Sequence, residues 1–172
     1  MKHARVRGIK MRRDRGRATS LLFGAAGIFA GIALTVAWTS GASAQSGARR
    51  VIRPAKAPNT GLPFSPGILA GNTLYISGHL GRDPATNKLV TGGVEAETRQ
   101  SLANIREVLR AANMDFSNVT TVTAYITSFS DFARFNAIYR ETFAGDQPAR
   151  ATVQVAALND GAHVELQMIA VK

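Results

Sequence analysis

Residues 147–155 carry the clearest chemistry in the chain, because there a turn leads into an alternating strand with an arginine at its start. Pro148 cannot donate to a sheet ladder and is therefore expected before the strand. Arg150, Thr152 and Gln154 point to one face of that strand, and the valines between them point to the other. A guanidinium beside small polar groups is suited to bind a carboxylate. The alternative is a surface arginine in a solvated ion pair, since most arginines are exposed.

Other reactive residue types are sparse. The chain has no cysteine, which excludes disulfides, thiolate metal sites and a cysteine nucleophile. Ser77 and His79 flank Gly78, but the glycine–serine elbow of a nucleophilic serine does not surround them. His163 follows a turn and is expected at the surface. Because the carboxylates and histidines lack the spacing of a metal site, we expect neither a metal nor another cofactor.

The first 44 residues have the pattern of a secretory signal peptide. Basic residues precede an apolar run at positions 21–38, and the small-residue cleavage pattern Ala42-Ser43-Ala44 follows it. Arg12-Arg13 suggests twin-arginine export, but the following residues match that consensus poorly, so the general secretory route stays open. An uncleaved anchor is the alternative, since the run is near the lower limit for spanning a bilayer. The sequence thus predicts a periplasmic or secreted protein, attached to a membrane only if the leader is retained.

The net charge of +10 describes this leader more than the rest of the chain. The leader holds eight of the 21 basic residues and one of the 11 acidic residues. A further four basic residues lie in the entry segment that follows it, and from Ala57 onward acidic residues slightly outnumber basic ones. The domain therefore lacks the basic surface that nucleic-acid binding requires.

After the leader we expect an extended, proline-rich arm at residues 45–61 and one domain at residues 62–172. Hydrophobic periodicity predicts helices near 94–112 and 131–143. It predicts strands near 66–70, 73–77, 119–127, 151–156 and 164–171, with a short edge strand at 88–90. This order indicates an α+β domain with two helices on one face of a mixed sheet.

The second face of the predicted sheet is polar and rich in threonine and tyrosine. Such a face is often buried against another subunit, and polar groups at one end of it would form a pocket. By strand parity the predicted face contains Tyr75, Ser77, Thr123, Tyr125, Arg150, Thr152, Gln154, Glu165 and Gln167.

Residues 57–172 resemble the Rid family, also called the RidA or YjgF-like family, in motifs that occur in the family's order. The matching segments are Ala57-Pro58, Gly71-Asn72, Ile76-Ser77-Gly78, residues 99–104, residues 135–139, Pro148-Ala149-Arg150 and Ile169-Ala170-Val171. The resemblance implies a chorismate-mutase-like α+β fold and a homotrimer whose sheets surround a central barrel, with three pockets between subunits. The family archetype hydrolyses reactive enamines and imines, such as 2-aminoacrylate and its imine tautomer 2-iminopropanoate, to 2-keto acids and ammonia.

The same resemblance assigns site residues. Arg150 matches the arginine that holds the substrate carboxylate, and Ser77 and Gly78 match the pocket wall. Asn136 matches a recurrent asparagine of less certain role.

Three positions depart from the family pattern as aligned by motif. Gln167 stands where a glutamate of the last strand handles the attacking water, Phe64 replaces a pocket tyrosine, and Thr152 replaces a common cysteine. Glu165 lies on the same strand face as Gln167, one pair away. An amide orients water but cannot accept its proton, and loss of a general base typically costs on the order of 10²–10⁴ in rate.

The sequence therefore indicates an exported deaminase of the 2-iminobutanoate/2-iminopropanoate type with an altered proton-handling site. We take Arg150 and Gln167 as its catalytic pair, with Ser77, Gly78, Phe64, Asn136 and Thr152 as substrate-binding residues. The alternative is a non-catalytic protein of the cell envelope that binds a small carboxylate. An RNA-cleaving member of the family is a third possibility, which the near-neutral domain disfavours.

Overall fold

A computed structural model describes residues 48–55 and 61–172 of the chain. The predicted leader at 1–44 lies outside the described residues, as does part of the 45–61 arm. Within the described part, no helix is both long enough and apolar enough to cross a bilayer. Six strands and two helices follow in the order β1 (Arg50–Ile52), β2 (Gly67–Ala70), β3 (Thr73–Leu80), α1 (Gly93–Ala111), β4 (Val119–Ile126), α2 (Phe132–Thr142), β5 (Ala149–Gln154) and β6 (Val164–Val171).

The strands form one mixed sheet in the order β1-β2-β3-β6-β4-β5. The β4–β5 pair is parallel and the other neighbours are antiparallel. A parallel pair needs a crossover connection, and α2 supplies it. The predicted α+β class with both helices on one face is confirmed.

Alternation along the strands builds the core between the sheet and the helices. In β6, residues at every second position are buried, and β4 shows the same period over most of its length. The helices add a stripe that includes Ile105, Leu109 and Phe135, each fully buried. The opposite face of the sheet carries the partly exposed or exposed residues of these strands.

Several predicted boundaries change. Arg50–Ile52 was expected in an extended arm, but it forms strand β1 and pairs with β2, so Ile52 reaches the core. The predicted edge strand at 88–90 is an isolated bridge between Arg82 and Leu89. The strand predicted at 151–156 begins earlier, at Ala149, because pairing with β4 starts at Thr121↔Ala149.

The predicted polar face was wrong for Arg150, Thr152 and Gln154. The register places Arg150 beside Val122, a core residue, so Arg150 points to the helix face. Parity fixed which residues of β5 share a face, but it did not fix which face they share. Val153 was expected on the face opposite Arg150, and the structure places it on the open side, where it is 44% exposed.

Strand β3 has a bulge at Ser77–Gly78, where its register with β6 shifts between Ile76 and His79. A bulge inserts extra backbone and bends the strand locally, and bulges are frequent next to active sites. After the bulge, Leu80 pairs with Glu165. The bulge thus brings the end of β3 over the beginning of β6.

The turn after β3 packs directly on α1, so that a side chain added to this turn should disturb the packing. A Cβ on Gly81 would lie 2.6 Å from the backbone oxygen of Glu97 and overlap its Cα. We expect Gly81→Ala to lower the free energy of unfolding by about 1–3 kcal/mol, the usual cost of overpacking. Urea denaturation measures it, with Gly145→Ala as the control because a Cβ there meets no atom within 4 Å. Equal midpoints for the two variants would contradict the packing.

Candidate functional site

A cavity of about 310 Å³ lies on the open face of the sheet. Three neighbouring strands build it, because β6 runs between β3 and β4. Its lining residues are Gly78, Tyr125, Leu158, Glu165 and Gln167. The wall combines one carboxylate, one amide and one phenol with backbone at a glycine. Such a set of convergent polar groups is typical of a site that orients a small polar ligand.

Glu165 is the reactive group of this cavity. Its side chain packs so closely on Gly78 that a Cβ at position 78 would overlap Glu165 Oε1. Gly78 is therefore required by the approach of the carboxylate rather than by an unusual backbone angle. Burial raises the pKa of Glu165 above its ordinary value, because desolvation disfavours the charged carboxylate. A carboxylate with a raised pKa in a cleft is a candidate general base.

Gln167 lies on the same wall, two residues further along β6. The Tyr125 hydroxyl donates a hydrogen bond to Gln167 Oε1 at 3.5 Å, a long and weak contact. The side chain thus faces the cavity, as the sequence predicted, but it is a neutral neighbour of the carboxylate.

Arg150 lies at the opposite side of the sheet, against α2. Its Nη2 donates to Asn136 Oδ1 at 2.7 Å. The guanidinium carbon lies 4.4 Å from the ring centroid of Tyr139 and 5.2 Å from that of Phe135, with Phe132 at 5.9 Å. Aromatic faces attract a cation, so these rings fix the planar guanidinium in place.

The donors of Arg150 are only partly used. Among the described residues no carboxylate forms an ion pair with it, and one hydrogen bond, to Asn136, accounts for one of its five N–H groups. Burial raises the pKa of Tyr139 to about 12, with a smaller opposing effect from the Arg150 charge. The phenol below the guanidinium therefore stays neutral. Arg150 therefore keeps donors that could bind a carboxylate, and its role as a carboxylate receiver stays a prediction.

Arg150 and Glu165 do not meet within one chain. Arg150 pairs with Val122 on the helix face, whereas Glu165 pairs with Tyr125 and faces the open-side cavity. The carboxylate receiver and the candidate base thus occupy opposite faces of one sheet. The described residues thus hold two separate groups of polar side chains, around Arg150 and around Glu165, which we call the two half-sites.

The remaining predicted site residues divide between these places. Ser77 is in the bulge beside Gly78, and its Oγ donates to the Pro66 carbonyl at 3.2 Å. Thr152 is half-buried and shares the helix face with Arg150. Phe64 is 54% exposed in the segment before β2 and is not among the residues that line the cavity.

His79 is not a partner for Ser77. Burial lowers its pKa to about 4, with a smaller opposing effect from a hydrogen bond to the Pro66 backbone. Its Nε2 is buried without a hydrogen-bond partner. The imidazole therefore stays neutral at physiological pH. Among the described residues, no group of three or more histidine, aspartate or glutamate side chains is arranged to hold a metal ion.

Sequence reasoning missed two features of the site. It left the reach of Glu165 undecided, because the bulge that brings Gly78 onto Glu165 depends on strand pairing. It also did not connect Arg150 with the aromatic side chains of α2, although three of their rings surround the guanidinium. The short loop between α2 and β5 was the available signal, since a β4-α2-β5 crossover places the start of β5 under α2.

Comparison with known proteins identifies the family. A family model described as Endoribonuclease L-PSP matches residues 54–172. A goat (Capra hircus) protein named 2-iminobutanoate/2-iminopropanoate deaminase is 48% identical over 124 residues, which cover 72% of this chain and 90% of that protein. The human protein of the same name is 44% identical over the same length.

Comparison with solved structures supports the same family. A Yersinia pestis protein of the Rid family, YyfA, is 38% identical with a TM-score of 0.70, covering 73% of this chain and all of that one. The fold is thus the YjgF-like, chorismate-mutase-like fold that the resemblance implied, here as an open six-stranded sheet. The chain belongs to the Rid family, which the Endoribonuclease L-PSP model describes.

Proposed function

We propose that this protein hydrolyses small 2-imino acids, of the 2-iminopropanoate and 2-iminobutanoate type, to 2-keto acids and ammonia. Enamino acids such as 2-aminoacrylate enter after tautomerisation to the imine. Relatives that carry the deaminase name are 44–48% identical, which supports imine chemistry in this family. The seating of Glu165 on Gly78 is the observation that carries the proposal for this chain.

The chemistry follows from that carboxylate. Glu165 accepts a proton from water while the water oxygen bonds to the imine carbon. Glu165 returns that proton to the nitrogen, which gives a tetrahedral carbon with one hydroxyl and one amino group. The carboxylate then carries the hydroxyl proton to the same nitrogen as the C–N bond breaks, so that ammonia leaves. The carbonyl of the 2-keto acid forms from the former water oxygen. A raised pKa suits this task, because it makes the ionised carboxylate a stronger base.

This assignment differs from the sequence prediction, which took Gln167 as the residue at the water. The amide of Gln167 cannot accept a proton from water, and Glu165 occupies the same wall next to the glycine backbone. We therefore assign Gln167 to the cavity wall. The proton-handling group lost at position 167 is present at position 165.

Arg150 holds the substrate carboxylate in this proposal, with Asn136 orienting the guanidinium. Because Arg150 and Glu165 lie on opposite faces of the sheet, we propose that one subunit supplies Arg150 and the next supplies Glu165. A homotrimer that packs the open faces inward would form three such pockets and cover Tyr75 and Val153, which are 50% and 44% exposed. Thr152 and Phe64 are then candidates for the rim of the shared pocket.

One solved relative is consistent with a small carboxylate ligand. The Escherichia coli protein TdcF, 29% identical with a TM-score of 0.67, was solved with bound serine; the match covers 72% of this chain and 98% of that one. Serine carries the carboxylate and the substituted α-carbon that a 2-imino acid also has. We propose the same ligand class here, in the 2-imino acid form.

We also propose that the domain acts outside the cytoplasm, since residues 1–44 have the pattern of an export signal. Expression of the full chain in a bacterial host is then expected to give a protein in the periplasmic fraction that begins at Gln45. Intact-mass measurement of that fraction tests it, with a variant that carries Ala42→Leu and Ala44→Leu as the control for cleavage. Full-length protein in the cytoplasmic fraction would contradict export.

The two half-sites predict different kinetic losses. Arg150→Ala removes a charge-assisted contact of about 1.5–3 kcal/mol, so kcat/KM is expected to fall by about 10–100-fold. Glu165→Gln removes the base, and kcat is expected to fall by about 10²–10⁴. Ammonia release from freshly generated 2-iminopropanoate measures both, with Arg140→Ala as an exposed control on α2. If the wild-type protein released ammonia no faster than buffer alone, the proposed enzymatic function would be rejected.

Gln167→Glu separates the two candidate positions for the base. If Gln167 marks a lost base, this variant gains activity. We expect no gain, and an acid limb of the pH–rate profile displaced to higher pH, because a second carboxylate raises the pKa of Glu165 further. The profile of kcat against pH in the two proteins measures this displacement.

Mixing inactive variants tests the shared pocket. In a trimer assembled from equal amounts of Arg150→Ala and Glu165→Gln, about a quarter of the pockets would combine an intact arginine with an intact glutamate. Activity of the mixture, after unfolding and refolding together, is therefore expected to recover to about a quarter of wild type. Sedimentation of each variant as a trimer is the control. No recovery above the separate variants would place both residues of a site in one subunit.

A further inference from the structure

Glu97 is a buried carboxylate outside the cavity. It lies in α1, and its side chain is 4% exposed. Glu97 Oε2 accepts from the backbone N–H of His163 at 2.7 Å, and Glu97 Oε1 lies 2.6 Å from His163 Nδ1. One side chain therefore holds both donors of the residue that immediately precedes β6. Buried carboxylates are rare unless they are paired in this way.

The same face of α1 holds the end of β3. Ser101 Oγ donates to the His79 carbonyl at 2.8 Å, and Asn104 Nδ2 donates to the Arg82 carbonyl at 2.8 Å. Gly81 packs on the backbone of Glu97 itself. Positions 97, 101 and 104 follow helical spacing, so one polar line of α1 contacts the end of β3 and the residue before β6, two of the three strands that form the cavity.

Those contacts flank the Glu165–Gly78 pair. Glu165 lies two residues after His163, and Gly78 directly precedes His79. The His163 carbonyl also accepts from Thr127 N–H at 3.1 Å, which ties the same point to the end of β4. The position of Glu165 relative to Gly78 therefore depends on how the start of β6 is held.

We propose that Glu97 is a positioning residue that anchors the start of β6 and so keeps the Glu165 carboxylate seated on Gly78. Its importance for hydrolysis rests on the proposed function, whereas the seating of Glu165 does not. Glu97 touches neither cavity nor substrate, and acts through the His163 backbone and ring. The expected effect is a change in geometry. With a shorter side chain at position 97, the Glu165 carboxylate moves away from Gly78 and toward water.

A titration of Glu165 itself reads out that geometry without an assay of activity. Desolvation is the cause of its raised pKa. The titratable group that faces it from the cavity lining is Tyr125 of β4; Gln167 and Leu158 are neutral. If the carboxylate leaves Gly78 and becomes hydrated, its pKa falls toward the ordinary value for glutamate.

The experiment compares three substitutions by ¹³C NMR titration of the Glu165 carboxyl in the assembled protein. Glu97→Asp keeps the charge but is one methylene too short for both His163 contacts, so the midpoint is expected to fall by about half a pH unit or more. Glu97→Gln keeps the length and an acceptor for the His163 N–H, so the midpoint is expected to stay near wild type. Glu107→Gln, on the exposed face of α1, is the matched control.

The outcomes separate position from charge. If Glu97 acts only as a nearby negative charge, Glu97→Gln lowers the midpoint and Glu97→Asp does not, which overturns the proposal. A lowered melting temperature with an unchanged midpoint in Glu97→Asp also overturns it, because the role is then structural alone.

The experiments distinguish a failure of the proposed enzymatic function from a failure of the proposal for Glu97. Wild type without deaminase activity rejects the function while the NMR result still decides on Glu97. Where activity is present, the proposal expects Glu97→Asp to lower kcat and move the acid limb of the pH–rate profile to lower pH, with Glu97→Gln close to wild type.

Discussion

The contact between the Glu165 carboxylate and the Gly78 backbone is the constraint on which the site depends. It requires a glycine, because any Cβ at that position would occupy the space of the carboxylate. It requires a bulge in β3, because regular pairing would not turn this backbone toward β6. It also requires the start of β6 to be held firmly, which the Glu97–His163 contacts do. Gly78, the bulge around it and the contacts that hold the start of β6 therefore all determine this one contact.

Arg150 obeys a different constraint. A guanidinium on the helix face would be expensive to bury without partners. The rings of α2 and the amide of Asn136 supply those partners while leaving N–H groups free at an edge strand. Close packing against the Gly78 backbone positions the Glu165 carboxylate, whereas the aromatic rings of α2 position the Arg150 guanidinium. Because the two lie on opposite faces of one sheet, the proposed reaction, which uses both, requires two copies of the chain.

Sequence reasoning recovered the fold class because its signals are local. Periods of two and 3.6 residues located both helices within a residue or two and most strands. It missed β1, since three residues of an arm carry little periodic signal and form a strand only through pairing with β2.

The site was harder to predict for the same reason. The role of Arg150 as a carboxylate receiver stays a prediction, and the face to which it was assigned was wrong, since parity cannot choose between the two sides of a sheet. Glu165 and Gln167 are equivalent by parity, and only the bulge at Ser77–Gly78 distinguishes them. Strand register, bulges and helix-to-strand contacts depend on residues far apart in the chain, so they cannot be inferred from the local patterns of a single sequence.

The raised pKa of Glu165 links reactivity to stability. A carboxyl whose folded pKa exceeds its unfolded value contributes stability that is fully present below the unfolded pKa and is lost as pH rises through the folded pKa. The ionised form of Glu165 is therefore a net cost to the fold, since desolvation acts against its charge. Strain of this kind is common at functional sites, where the surrounding structure holds it. A glutamate with a purely structural role would gain by moving into water, so the polar contacts of α1 with β3 and β6 are best understood as what prevents that movement.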